Sequence, residues 1–246
     1  MTVTVVIPCY NEEGYVGHLL QDLTGQSQRP DAVIVADCHS NDATVSEARR
    51  FSKRLNLKIL QSPYRSAAAA RNTGADVATT DYLLFIDADM RLPQDFIYQI
   101  TKRAHDKRCD WVAAKLKSES HSLIDHIVYW GVNLSTYGYH MAYKRRPAGT
   151  AGALLVRRKL HNLIGGYTPG LREFDDVDYF MRMWKHKVTY AYARKAVART
   201  SIVRHNDHGK LLRVLQGVSA HIFFGKYLIR PMMKVFGIKP KWHELD

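Results

Sequence analysis

Tyr82-Leu83-Leu84-Phe85-Ile86-Asp87-Ala88-Asp89-Met90-Arg91-Leu92-Pro93 runs from an apolar segment straight into two carboxylates separated by one small residue. A short apolar run of this kind reads as a buried strand. Side chains alternate along an extended chain, so Asp87 and Asp89 are expected to point the same way, with Ala88 leaving room beside them. Two like charges held together repel unless a cation lies between them or both reach water. Hard oxygen ligands with spare coordination positions suit Mg²⁺ or Mn²⁺ shared with a phosphate-bearing substrate. The competing reading is a pair of solvated turn aspartates at a strand end.

Upstream, residues 3–7 read as a fully buried first strand that Pro8 stops, with a helix over 13–24. A second strand is expected at 31–37, and Ser40-Asn41-Asp42 caps a helix over 43–54. A third strand falls at 57–60, and the Ala-rich segment 66–77 forms a helix leading into the strand at 82–87. Strands alternating with helices of about ten residues imply βαβ units, a mainly parallel sheet and helices on both faces. Ligands of such sheets sit beyond the carboxyl ends of the strands. Pro8, Tyr10, Glu12, Asp37 and Asp87-Ala88-Asp89 all fall at such ends, so one crevice collects them. No GxGxxG follows the first strand and no GxxxxGK[ST] occurs, which argues against a conventional NAD or P-loop site. Arg71, the basic residue of the 66–77 helix, is either a phosphate ligand or a solvated helix charge.

The 246 residues are 46% hydrophobic, enough for one large domain. Residues 1–100 carry 9 Lys/Arg against 12 Asp/Glu, whereas residues 101–246 carry 27 against 11. A strongly basic second half implies an anionic partner surface, nucleic acid or anionic lipid. Cys9, Cys38 and Cys109 cannot all pair and show no metal-ligand spacing, so a reducing compartment is expected. No secretory leader and no membrane-spanning helix are expected.

Further on, a helix over 93–104 and a strand over 110–114 precede an aromatic segment, 120–143, with Tyr129, Trp130, Tyr137, Tyr139, Tyr143, His126 and His140. These rings are either core or the lining of a sugar or headgroup site. Lys144-Arg145-Arg146-Pro147 follows, and the small residues of 148–152 allow the backbone to approach a ligand or another strand. A strand over 153–156 and a turn at Gly165-Gly166-Tyr167 come before the second acidic cluster, Glu173 to Asp178. If Asp175 starts a helix, Asp175 and Asp176 lie near its N-terminal amides, where negative charge is favoured. Alternatively, one of them is a general base. Strands at 188–192 and 197–203 deliver His205, either a surface residue or a metal ligand. Over 210–224, Leu211, Leu215, Val218 and Ile222 share one helical face, and Lys226, Arg230 and Lys234 follow beside aromatic residues. That pattern fits either a membrane-interface helix or a helix packed on the domain with a solvated basic edge.

From about residue 3 to 205 the chain resembles the GT-A glycosyltransferases, in particular the inverting family 2. The carrying segments are Val5 to Glu13, Val33 to Thr44, Ala70-Arg71-Asn72-Thr73-Gly74, Leu84 to Asp89, and Gly165-Gly166-Tyr167 followed by Asp175-Asp176-Val177-Asp178. Cys38 and His39 stand where Asp-Gly is usual, and Asp175 where Glu is usual. The resemblance implies a GT-A (Rossmann-like) mixed, mainly parallel α/β sheet over residues 1–209. Residues 1–115 would bind the nucleotide, 116–209 the acceptor, and 210–246 would form a basic amphipathic appendage. It implies a nucleotide-binding set of Pro8, Tyr10, Glu12, Asp37, Arg71, Asp87 and Ala88. Asp89, Asp87 and His205 would hold a divalent cation, Mn²⁺ or Mg²⁺, and Asp176 would be the base with Asp175 beside it.

The expected activity is inverting transfer of a sugar from a nucleotide-diphosphate donor, UDP-linked, to a hydroxyl on a lipid-linked or glycan acceptor. The expected setting is the cytoplasm, peripheral to the inner face of an anionic membrane. A basic nucleic-acid-binding module explains neither acidic cluster. A sugar nucleotidyltransferase needs a Gly-rich, Lys-bearing loop after the first strand that this chain lacks.

Overall fold

The computed structural model describes residues 1–119, 123–142, 152–171 and 175–200. Seven strands form one sheet: β1 (Val3–Cys9), β2 (Ala32–Asp37), β3 (Leu57–Gln61), β4 (Tyr82–Ile86), β5 (Trp111–Ser118), β6 (Ala153–Arg157) and β7 (Tyr190–Thr200). Their order across the sheet is β3-β2-β1-β4-β6-β5-β7. All pairings are parallel except those of β6, which runs antiparallel to both β4 and β5. Two reversals restore direction, so β5 and β7 run with β4. The carboxyl ends of β1, β2, β4, β5 and β7 therefore share one edge. The helices are α1 (Val16–Thr24), α2 (Thr44–Arg49), α3 (Ala67–Asp76), α4 (Phe96–Lys107), α5 (Leu123–Ala142), α6 (Arg158–Leu163) and α7 (Asp175–Met183).

Strand alternation sorts the core into two layers. Val5, Ile7, Leu84 and Ile86 face Leu19, Leu20 and Leu23 of α1 and Phe96, Ile97 and Ile100 of α4. Val6, Leu83, Phe85, Leu154 and Val156 face Ala68 and Ala75 of α3, Leu160 of α6, and Tyr179, Phe180 and Met183 of α7. Helices cover both faces, as the near-continuous apolar strands require.

Several boundaries differ from expectation for local reasons. Pro8 does not stop β1, which pairs with β2 as far as Cys9↔Asp37. Pairing with β4 ends at Val6↔Phe85, so Pro8 lies where that side of the strand needs no donor. Gly14, at φ +79°, delays α1 to Val16. After Arg49 the hydrogen bonds tighten, Phe51 N–H to Ala48 O and Arg54 N–H to Phe51 O, and α2 gives way to turns. The two late strands are one: β7 pairs Ala114↔Ala193, then Lys115↔Val197, and a bulge absorbs the residues between. The expectations for 143–151, Glu173, His205 and 210–246 lie outside the described residues.

Gly74 of α3 packs directly against Val6 of β1. A Cβ there would stand 2.4 Å from Val6 Cγ1 and 3.1 Å from Cγ2. Gly74→Ala is therefore expected to destabilise the fold by roughly 1–3 kcal/mol through overpacking, outweighing alanine's better helix propensity. Urea unfolding with an unchanged m-value and a lowered midpoint would show it.

Candidate functional site

The loops leaving β1 and β2 are laced together at the shared edge. Asn11 N–H donates to Ser40 Oγ (2.9 Å), Asn41 N–H to Asn11 Oδ1 (2.8 Å), Glu12 N–H to Thr44 Oγ1 (2.7 Å), and Ala43 N–H to Glu13 Oε2 (2.8 Å). Asn11 and His39 take left-handed backbone, φ +54° and +63°. For His39 this is the conformation that glycine adopts at least cost. Asp37 is buried, and its carboxylate accepts from Ser40 N–H (3.1 Å) and Ser40 Oγ (2.5 Å). Asp37 thus shapes its own loop. Tyr10 is exposed, with the Arg65 guanidinium 5.6 Å over its ring. A flat aromatic surface beside a cation and a buried carboxylate is suited to a nucleoside.

After Ile86 the chain turns instead of continuing extended, with Met90 N–H donating to Asp87 O (3.1 Å). The alternation that put Asp87 and Asp89 on one side therefore does not apply. Each carboxylate is held separately. Asp89 Oδ2 accepts from Thr200 Oγ1 at the end of β7 (2.8 Å), and Asp87 Oδ1 accepts from Arg71 Nη2 (2.9 Å). Ala88 is buried between them in sequence. The expected close backbone approach is met at Gly152: its carbonyl accepts from Asp87 N–H (3.1 Å), and a Cβ there would lie 3.0 Å from Asp87 Oδ2.

Arg71 connects the two acidic clusters. Its other terminal nitrogen, Nη1, pairs with Asp175 Oδ2 at 2.7 Å, and its side chain is only 7% exposed. It is not a solvated helix charge. The guanidinium lies 5.2 Å from the centroid of Tyr167, which stacks on Tyr179 at 4.0 Å. Burial works against the Arg71 charge, but Asp87, Tyr167 and Asp175 outweigh it and keep the group protonated. Burial pushes the Asp175 carboxyl up from its ordinary value while Arg71 opposes that push.

The carboxylates opening α7 divide the work. Asp175 is tied to Arg71. Asp178 accepts from Thr168 Oγ1 (2.7 Å) and Arg182 Nε (2.9 Å). Asp176 Oδ1 accepts from Val177 N–H (2.8 Å), and among the described residues it alone of the three has no cationic partner. A carboxylate without a cationic partner at this edge is the kind of group that proton abstraction uses.

Asn72 is a site residue that motif reading passed over. Its Nδ2 donates to Tyr167 O (2.7 Å) and its Oδ1 accepts from Tyr167 N–H (2.8 Å), so one amide clamps the Gly165-Gly166-Tyr167 turn to α3. Gly166, at φ +70°, is required there, since a Cβ would come within 2.6 Å of Asn72 Oδ1. Below it, buried His161 Nδ1 lies 2.7 Å from the Tyr179 hydroxyl, and burial, aided by Arg182, pulls its pKa down to about 4.

Among the described residues no group of three or more His, Cys, Asp or Glu gathers to hold a metal ion. Asp87 and Asp89 supply the donor type of a hard divalent cation, which is commonly held by one or two carboxylates together with substrate phosphates and water. His205 lies outside the described residues. Pro8 and Asp37, near the ends of β1 and β2, and Tyr10 and Glu12, on the loop after β1, stand at the same edge.

A family model described as glycosyl transferase family 2 matches residues 4–177. The amylovoran biosynthesis glycosyltransferase AmsB of Erwinia amylovora is 36% identical over 104 residues, 40% of this chain and 34% of that protein. Among solved structures, Staphylococcus aureus TarS 1-349 in complex with UDP-GlcNAc superposes with a TM-score of 0.65 at 20% identity, covering 90% of this chain and 66% of that one. Pyrobaculum calidifontis mannosyltransferase PcManGT, in complex with GDP-Man and Mn²⁺, gives 0.69 at 22% identity, covering 89% and 62%. At these identities the structural likeness is one of fold. The chain spans between 16% and 61% of the length of the first curated relatives it matches.

Removing the Arg71 charge exposes the linkage. Because the folded Asp175 pKa lies above its unfolded value, its ionisation costs no stability below the unfolded value, costs increasingly as pH rises from there to the folded value, and costs a constant amount above it. Arg71→Leu lifts that folded value further. It is expected to lose about 2–3 kcal/mol near neutral pH, discounted because Asp87 is partly exposed, with the loss shrinking as pH falls and Asp175 takes up its proton. Denaturation of both proteins across an acidic pH series measures this, and a pH-independent difference would contradict it.

Proposed function

The chain belongs to glycosyl transferase family 2, and we propose that it is a glycosyltransferase moving a sugar from a nucleotide-diphosphate donor, UDP-linked, to an acceptor hydroxyl with inversion at the anomeric carbon. The observation that carries this reading is the Arg71 bridge, which brings Asp87, at the end of β4, and Asp175, at the start of α7, to one guanidinium.

In this reading Pro8, Tyr10, Glu12 and Asp37 hold the nucleoside at the ends of β1 and β2. Asp87 and Ala88 border the diphosphate. Arg71 acts by fixing carboxylates and not as a free phosphate ligand. Asp87 and Asp89, with His205, would hold Mn²⁺ or Mg²⁺, whose Lewis acidity offsets charge developing on the leaving diphosphate. Asp176 takes the proton from the acceptor hydroxyl, on the face opposite the departing nucleotide. Asp175, anchored to Arg71, positions the helix start that presents Asp176. The acceptor is a lipid-linked or glycan hydroxyl presented at an anionic membrane, in keeping with the basic second half of the chain. The donors bound in the solved neighbours, UDP-GlcNAc and GDP-Man, are of the same chemical class.

Asp176→Asn is expected to lower transfer by about 10²–10⁴-fold while leaving donor affinity within a few fold. UDP release beside isothermal titration of the donor separates the two, and turnover at the wild-type rate would remove Asp176 as the base. UDP is also expected to raise the melting temperature in the presence of Mn²⁺ and much less in chelator, by mass action on the folded state. Stabilisation that ignores the metal would contradict the diphosphate site at Asp87 and Asp89.

A further inference from the structure

The helix α5 has two apolar sides, and only one of them is used. Tyr129 and Asp125 are buried, and Asn133 pins the helix to the sheet: its Nδ2 donates to Leu116 O (2.6 Å), and its Oδ1 accepts from Leu116 N–H (3.1 Å) and the Tyr192 hydroxyl (2.5 Å). At 3.6 residues per turn, Leu123, Ile127, Trp130 and Leu134 fall on the opposite side. Their exposures are 73%, 58%, 67% and 51%. Isolated exposed apolar residues are ordinary, but a continuous stripe of this kind marks an interaction surface.

Beside the stripe, at the carboxyl end of β5, lies a groove of about 590 Å³. Trp130 and Leu134 form its rim, and Lys115, Lys117, Arg194 and Arg199 line it, the last two from the bulged half of β7. Among the described residues no carboxylate lines it. The surface therefore pairs apolar side chains, including an amphipathic indole, with a row of cations. Among the described residues no helix is long and apolar enough to cross a membrane, so α5 would lie along a bilayer and not through it.

We propose that this face of α5 docks the protein onto an anionic phospholipid surface, with Ile127, Trp130 and Leu134 entering the headgroup boundary and Lys115, Lys117 and Arg199 meeting lipid phosphates. Charge complementarity selects this occupant over two others. Residues 201–246 carry eight Lys/Arg against three Asp/Glu, and a second copy of the chain carries the same net +13, so each would bring like charge to a cationic groove. Thr200, which holds Asp89, follows Arg199 directly, so the docked face adjoins the transfer site. The inference extends the membrane-borne acceptor of the proposed function. It is tested without donor or acceptor, so the two readings fail separately.

The test is co-sedimentation of the full chain with vesicles of phosphatidylcholine alone or mixed with phosphatidylglycerol, at low and high salt. Wild type is expected to pellet with the anionic vesicles only, and less at high salt. Ile127→Ser/Trp130→Ser and Lys115→Gln/Lys117→Gln, each with an unchanged melting temperature, are expected to weaken binding by about tenfold or more. Brominated phosphatidylglycerol should quench the intrinsic fluorescence, and most of that quenching should vanish in Trp130→Phe. Three results would overturn the proposal. The protein could stay in the supernatant. The stripe variant could bind as wild type does, which would assign binding to residues 201–246. Or the stripe variant could alter only the oligomeric state, which would assign the face to a second copy.

Discussion

One guanidinium, that of Arg71, holds together two parts of the chain that sequence keeps far apart. Its partners lie 16 and 104 residues away, one on the turn after β4 and the other at the first residue of α7. In a buried setting such a pair is costly to break, because either carboxylate left alone is an uncompensated charge. The position of α7 follows from it. Tyr167 and Tyr179 stack beneath the guanidinium, Asn72, one residue after Arg71, clamps the turn carrying Tyr167, and Arg182 ties α7 back to the carbonyls of Ile164 and Gly166. Asp175 and Asp178 are each committed to a cation, and among the described residues Asp176 is not, which is why the proposed base is Asp176.

The sheet edge does the rest. Because β6 reverses direction twice over, strands from both halves of the chain end on the same side, and Thr200 at the tip of β7 reaches Asp89 across 111 residues. A site of this type needs no bound group to define its location. The laced loops at Asn11, Ser40 and Thr44 fix the end proposed for the nucleoside, and the bridge fixes the acidic end.

Much of this was legible in the residues. The apolar run at 82–86, the β-branched segments at 33–35 and the small-residue helix at 67–70 carry their own local signals, and they gave the βαβ order and the shared edge. What remained hidden depends on tertiary contact. Proline's reputation as a strand breaker failed at Pro8 because β1 had already parted from β4 there. Alternation failed at Asp89 because a turn begins at Asp87, and periodicity cannot see a turn that a carbonyl contact from Gly152 helps to set. Arg71 could be read from spacing as a solvated charge or a phosphate ligand, and only the fold shows two carboxylates converging on it. The bulge in β7 split one strand into two apparent ones. The aromatic segment read as either core or binding surface is divided in α5, with Tyr129 buried and Trp130 exposed.

The most direct test of the account is the crystal structure of the protein soaked with UDP and MnCl₂, with data collected at the manganese edge. The account predicts one anomalous peak ligated by Asp89, Asp87 or both, bridged to the diphosphate, with the Asp176 carboxylate facing the same cavity. A peak away from both aspartates, or UDP seated elsewhere on the molecule, would contradict it.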